Sequence, residues 1–164
     1  MVSLLRYEPE SFLGTSTKPL TKGLFKYICY SWNMTNVPRD VIEQIINQAI
    51  NNLPEAYIDR LQNVAFIVED EPTPHQRELL RLRSDQTLFG LYEGIPLSKR
   101  HGAMKLLPDK ITIFQKPLES ASSNINELSD RISRTVWHEV AHYYGLDHDQ
   151  IRVLEAKERG EQGP

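Results

Sequence analysis

The chain predicts one small α+β domain. Helical apolar stripes stand near the start and the end of its patterned region, with short β-branched runs between them. The order reads helix, strands, helix, helix, with no internal repeat and no βαβ alternation, which argues against a parallel doubly wound sheet. At 164 residues, 40% hydrophobic and 25% charged, the chain is long enough to bury a core and has no long apolar run.

Residues 1–33 mix Pro, Thr, Ser and Lys around an aromatic patch, Phe25 to Trp32, without longer periodicity. They are expected to form a poorly ordered arm able to add one strand, ahead of a domain over residues 34–159 and a frayed tail over 160–164. Regular patterning begins after Val37. Pro38 suits a helix start, and Val41, Ile42, Ile45, Ile46, Ala49 and Ile50 recur at helical spacing until Leu53-Pro54 ends the run. Val64 to Val68 reads as a strand bounded by Asn63 and the acidic turn Glu69 to Pro72. Arg77, Arg81 and Arg83, interleaved with Leu79, Leu80 and Leu82, suggest the solvated face of a short amphipathic helix.

Leu88 to Leu97 reads as a second strand, in which Gly90 and Gly94 mark a bulge or a close backbone approach and Pro96 favours a sheet edge. Lys110 to Gln115 is a third strand, closed by Pro117. After a Ser and Asn loop, Asn124 and Glu127 resemble a capping box. The helix they open buries Leu128, Ile132, Val136, Val140 and Ala141 and runs to Gly145, a residue suited to a left-handed helix end. A last short helix is expected over about residues 149–158.

Charge and cysteine usage narrow the function classes. With 19 basic and 22 acidic residues, the net charge of −3 offers no broad attraction to phosphate backbones or anionic lipid. Neither nucleic acid nor a membrane is an expected partner. Cys29 is the only cysteine, so neither an intrachain disulfide nor a thiolate zinc cluster can be assembled from this chain. Together with a start that lacks signal-peptide character, this leads to the expectation of a cytoplasmic protein.

The chemistry concentrates in His138-Glu-Val-Ala-His142-Tyr-Tyr-Gly145-Leu-Asp-His148. Zinc needs neutral imidazoles held on one side of a rigid element, and positions i and i+4 of a helix share a face. His138 and His142 are thus candidate zinc ligands, with Glu139 placed to reach a water rather than the metal and so to act as general base. Gly145 would end the helix and let the chain reverse, which makes His148 the candidate third ligand. Decoration of a helix by chance is the bland alternative. An H-E-x-x-H string arises in roughly 0.5% of chains this long at ordinary residue frequencies, and the added Gly and His lower that by roughly two to three powers of ten.

That string matches the H-E-x-x-H-x-x-G-x-x-H signature of the metzincin metallopeptidases. Residues from about 37 to 155 resemble the short bacterial zincin-like metallopeptidases, the minimal zincins. The similar stretches are Val68 to Pro72, Leu88 to Leu97, Leu107 to Ile113 and Thr135 to His142. The resemblance implies a small zincin-like α+β domain with a short mixed sheet, an N-terminal helix and an active-site helix carrying H-E-x-x-H. It also implies Zn2+ as cofactor and a peptide or protein as substrate.

Two departures matter. The family commonly carries aspartate where this chain has His148, which keeps Asp147 and Asp149 as alternative ligands. The methionines are Met1, Met34 and Met104, so no Met-turn follows His148, and the second half of an ordinary protease cleft is not expected. Substrate binding would then rely on upstream segments or a partner.

Zincins typically bind an extended peptide along an edge strand, which makes Tyr92 and Glu93 candidate groove residues, although packing and turn roles weigh more. Tyr143 or Tyr144 could donate to a developing oxyanion, against a core role. His75 and His101 stand alone in polar loops and are assigned no ligand role. The expected function is a zinc metallopeptidase. A non-catalytic zinc-stabilised binding module and a zinc hydrolase of a small amide are the alternatives.

Overall fold

A computed structural model of the protein describes residues 2–6, 36–100 and 107–158. The aromatic patch, Cys29 and most of the expected arm lie outside the described residues, as do His101 and the tail. The strands are β1 (Val2–Arg6), β2 (Val64–Glu69), β3 (Leu88–Glu93) and β4 (Asp109–Phe114). The helices are α1 (Arg39–Asn51), α2 (Glu55–Ile58), α3 (Pro74–Leu79), α4 (Gln115–Ser120), α5 (Ile125–Tyr144) and α6 (His148–Glu158). One mixed sheet runs in the order β1-β3-β4-β2, with β2 parallel to β4 and with β3 antiparallel to both β4 and β1. The fold is α+β.

The core forms where the stripes of α1 and α5 meet each other and one face of the sheet. Ile42, Ile45 and Ile46 from α1 pack with Leu128, Ile132, Val136 and Val140 from α5, and Phe89, Tyr92, Ile111 and Ile113 come from the sheet. Ile42 is fully buried, so its truncation to alanine is expected to cost about 2–5 kcal/mol. Because α5 lies in this core, its C-terminal half is held rigidly against β3.

Three local readings are corrected. Pro117 does not simply close a strand: it sits within α4, in the first helical turn, where a missing N–H breaks no helical hydrogen bond. That helix is tied to the entry of α1, since Val37 N donates to Glu119 Oε1 (2.8 Å) and Gln115 Nε2 donates to Val37 O (2.7 Å). The basic segment does not continue as a helix to Arg83. α3 stops at Leu79, and Arg81 turns to φ 51°. A capping box between Thr73 and Gln76 starts α3, a signal that the helical period of so short an element does not reveal.

The third correction bears on the site. β3 ends at Glu93, a 3-10 turn covers Leu97–Lys99, and β3 is not an edge strand, because β1 pairs along its outer side. Gly and Pro report how a strand can pair locally. Which distant segment pairs with it is decided by the tertiary fold. No helix among the described residues is long and apolar enough to cross a membrane.

Candidate metal centre

α5 is started by Asn124, whose side-chain oxygen accepts from Glu127 N (3.0 Å). The Glu127 carboxylate takes Ser123 N (2.8 Å), one residue earlier than the reciprocal bond of a capping box, and also pairs with Arg131. After twenty helical residues Gly145, at φ 94°, ends the helix in the left-handed conformation. Gly145 N donates to His142 O and Leu146 N to Ala141 O, so the freed carbonyls stay satisfied. Asp147 then starts α6: its carboxylate accepts from Gln150 N while the Gln150 side chain accepts from Asp147 N, both at 2.9 Å. His148 is thereby folded back toward α5.

The three imidazoles converge. Ring centroids lie 4.7 Å apart for His138 and His142, 4.7 Å for His142 and His148, and 5.4 Å for His138 and His148. One ring nitrogen from each lies within 4.8 Å of the others. His138 and His142 are buried and His148 is exposed. His142 Nδ1 lies 2.9 Å from Leu146 O. A carbonyl can only accept, so Nδ1 carries the proton and Nε2 presents its lone pair to the cluster.

Unpartnered buried atoms test whether these residues suit a metal. His142 Nε2, both His138 ring nitrogens and both Glu139 carboxylate oxygens are buried without a hydrogen-bond partner. Each such atom costs about 1–3 kcal/mol if left unsatisfied, and native interiors rarely gather several at one point. A cation with its attached water would satisfy lone pairs and carboxylate together. The donor set fits a divalent metal of the zinc type.

Burial sets the protonation states. The His142 pKa is pushed down to about 4, first by burial and then by the His138 charge. His138 is also lowered by burial, with Glu155 opposing the shift. Both imidazoles are therefore neutral near pH 7, as ligation requires. Burial pushes Glu139 up to about 8, and the nearby Tyr92 amide opposes this without forming a hydrogen bond to either carboxylate oxygen. A nearby cation would favour the ionised form.

β3 fixes Glu139 from the sheet side. A Cβ at Gly90 would meet Thr135 Cγ2 at 2.6 Å and Glu139 Oε1 at 2.9 Å, so the strand approaches α5 as closely as it does only because position 90 has no side chain. Gly94 is likewise a close approach, against Asp109.

The remaining candidates are placed away from the cluster or bonded elsewhere. Tyr92 is fully buried with its ring edge-on to Tyr143, 6.2 Å between centroids. Glu93 pairs with Lys110 (2.6 Å). Tyr143 donates its hydroxyl proton to Arg60 O (2.9 Å), and Tyr144 donates to the Tyr57 carbonyl. Asp147 is occupied as the α6 cap, Asp149 pairs with Arg152, and His75 lies exposed in α3. One residue near the cluster was missed: Glu155, whose Oε1 lies 3.7 Å from His138 Nδ1. Its position two turns after His148 on the final helix is the signal that could have found it.

A family model described as zincin-like metallopeptidase matches residues 61–158, more than half of the chain. The chain belongs to that family. No curated protein matches it.

Proposed function

We propose that this member of the zincin-like metallopeptidase family is a zinc-dependent peptidase, with His138, His142 and His148 as zinc ligands and Glu139 as general base. The carrying observation is the convergence of buried, unpartnered His138, His142 and Glu139 atoms beside His148. Zinc bound there would supply Lewis acidity, polarising a carbonyl and making a water acidic. His138 and His142, neutral and locked on one helix face, hold their lone pairs in place with little entropy left to lose. Glu139 takes the proton of the attacking water and passes it to the leaving amine. A buried wall raises its proton affinity, which suits a group that must hold a proton before returning it. The single Cys29 fits a reducing, cytoplasmic setting.

Glu139→Gln keeps the shape and removes the base. It is expected to retain zinc by metal analysis while cleavage of a peptide library falls by about 10²–10⁴-fold. Unchanged turnover would sink the mechanism.

One observation favours a second reading, a non-catalytic metal-stabilised module. The outer side of β3, where an extended peptide would add as a strand, is already paired with β1. Deleting residues 1–33 separates the two: release of a substrate seat raises cleavage, whereas a module gains thermal stability with zinc and turns over no peptide with or without the arm.

A further inference from the structure

Every histidine that binds a metal through one nitrogen leaves the other carrying a proton inside the protein, and that proton needs an acceptor. His142 has one: its Nδ1 lies 2.9 Å from Leu146 O. His138 does not yet have one within bonding distance, and both of its nitrogens are buried and unpartnered. The group that faces His138 Nδ1 is the Glu155 carboxylate, at 3.7 Å.

We propose that Glu155 is the positioning residue for His138, accepting the Nδ1 proton and thereby presenting Nε2 to zinc; the inference rests on the metal reading of the site. Sequence spacing and fold both support it. Glu155 lies seven residues after His148, two helical turns along α6, so a single helix brings the third ligand and this carboxylate to the same side. The separation is within what a carboxylate side chain can close by rotation. The side chain is 29% exposed, so it keeps part of its hydration and can be buried against His138 without the cost of a fully dry charge. Its negative charge also offsets that of a dication held by imidazole ligands, as Leu146 O cannot.

The arrangement divides labour between the helices. α5 carries two ligands and the base; α6 carries one ligand and the acceptor that sets the tautomer of another. Glu155 does not touch the reacting atoms and acts only through His138.

The test is zinc affinity by chelator competition, with the Co2+ absorption spectrum as a second readout, on the full chain and its Glu155→Ala and Glu155→Gln variants. Glu155→Ala is expected to weaken zinc by about 10–100-fold with an unchanged metal-free Tm and an unchanged Co2+ band pattern. Glu155→Gln, whose amide oxygen still accepts from Nδ1, recovers at least part of the loss. Tight wild-type binding that Glu155→Ala leaves within twofold overturns the proposal alone. So does a Gln variant no better than Ala, and so does a Co2+ spectrum showing a changed coordination number, which would make Glu155 a ligand. Failure of the wild-type protein to bind zinc overturns the metal reading itself.

Discussion

The two helices that meet at the histidine cluster differ in how they are held. α5 is a core element: His138 and His142 are 6% and 3% exposed, Glu139 is fully buried, and α1 and the sheet pack around the helix. α6 is more peripheral: it enters through a left-handed glycine, offers an exposed His148, and among residues 148–156 only Ile151 is buried. His138, His142 and Glu139, the proposed ligands and base, are thus set in place by folding itself, while His148, the proposed third ligand, depends on one turn. Preorganised groups lose little entropy on binding, whereas a peripheral one must be ordered by the metal.

Deleting the proposed ligands should expose this asymmetry most strongly. His142→Ala and His148→Ala are each expected to weaken zinc by roughly 100-fold or more, beyond the loss typical of an outer partner. In the metal-free protein only His142→Ala should lower Tm, since His148 packs in no core. Equal Tm losses would show that α6 is as firmly built as α5.

The two glycines sharpen the contrast. Gly90→Ala forces a methyl into Thr135 and Glu139, with an overpacking cost of about 1–3 kcal/mol, and should cut turnover while zinc stays bound. Gly145→Ala meets Ser98 Oγ and adopts a left-handed φ at about 1–2 kcal/mol. Its expected signature is the opposite one, weaker zinc binding with a smaller change in turnover at saturating metal. Thermal melts, chelator competition and peptide assays distinguish the two patterns.

The smallest effect concerns pH in the chelated protein. Glu139 has a folded pKa raised to about 8, so its contribution to stability is complete below its unfolded value of 4.5 and is lost as pH rises toward 8. His142 has a folded pKa lowered to about 4, so its contribution is complete above 6.5 and is lost as pH falls toward 4. Glu139→Gln should therefore raise the metal-free Tm at pH 8 relative to wild type and leave the acid limb in place. A wild-type Tm that does not fall between pH 6.5 and 8 while that of Glu139→Gln also stays flat contradicts the buried-carboxylate account.

Local signals determined a good deal of this protein. The i, i+4 histidines, the glycine that ends their helix and the cap at Asn124 were legible because each rests on spacing within a few residues. The stripes of α1 and α5 were legible for the same reason, since a helix repeats its buried face every turn. The family resemblance read from the motif is met by the match over residues 61–158.

Tertiary structure decided the rest. Whether Tyr92 lies inside or beside a groove, whether β3 is an edge, and where the Tyr144 hydroxyl finds its acceptor depend on segments far away in the chain, so no local period encodes them. The same holds for Glu155: only once Gly145 reverses the chain and α6 lies against α5 does that carboxylate face His138. Spacing along one helix is fixed by backbone geometry, but proximity between helices is fixed by what packs in the core.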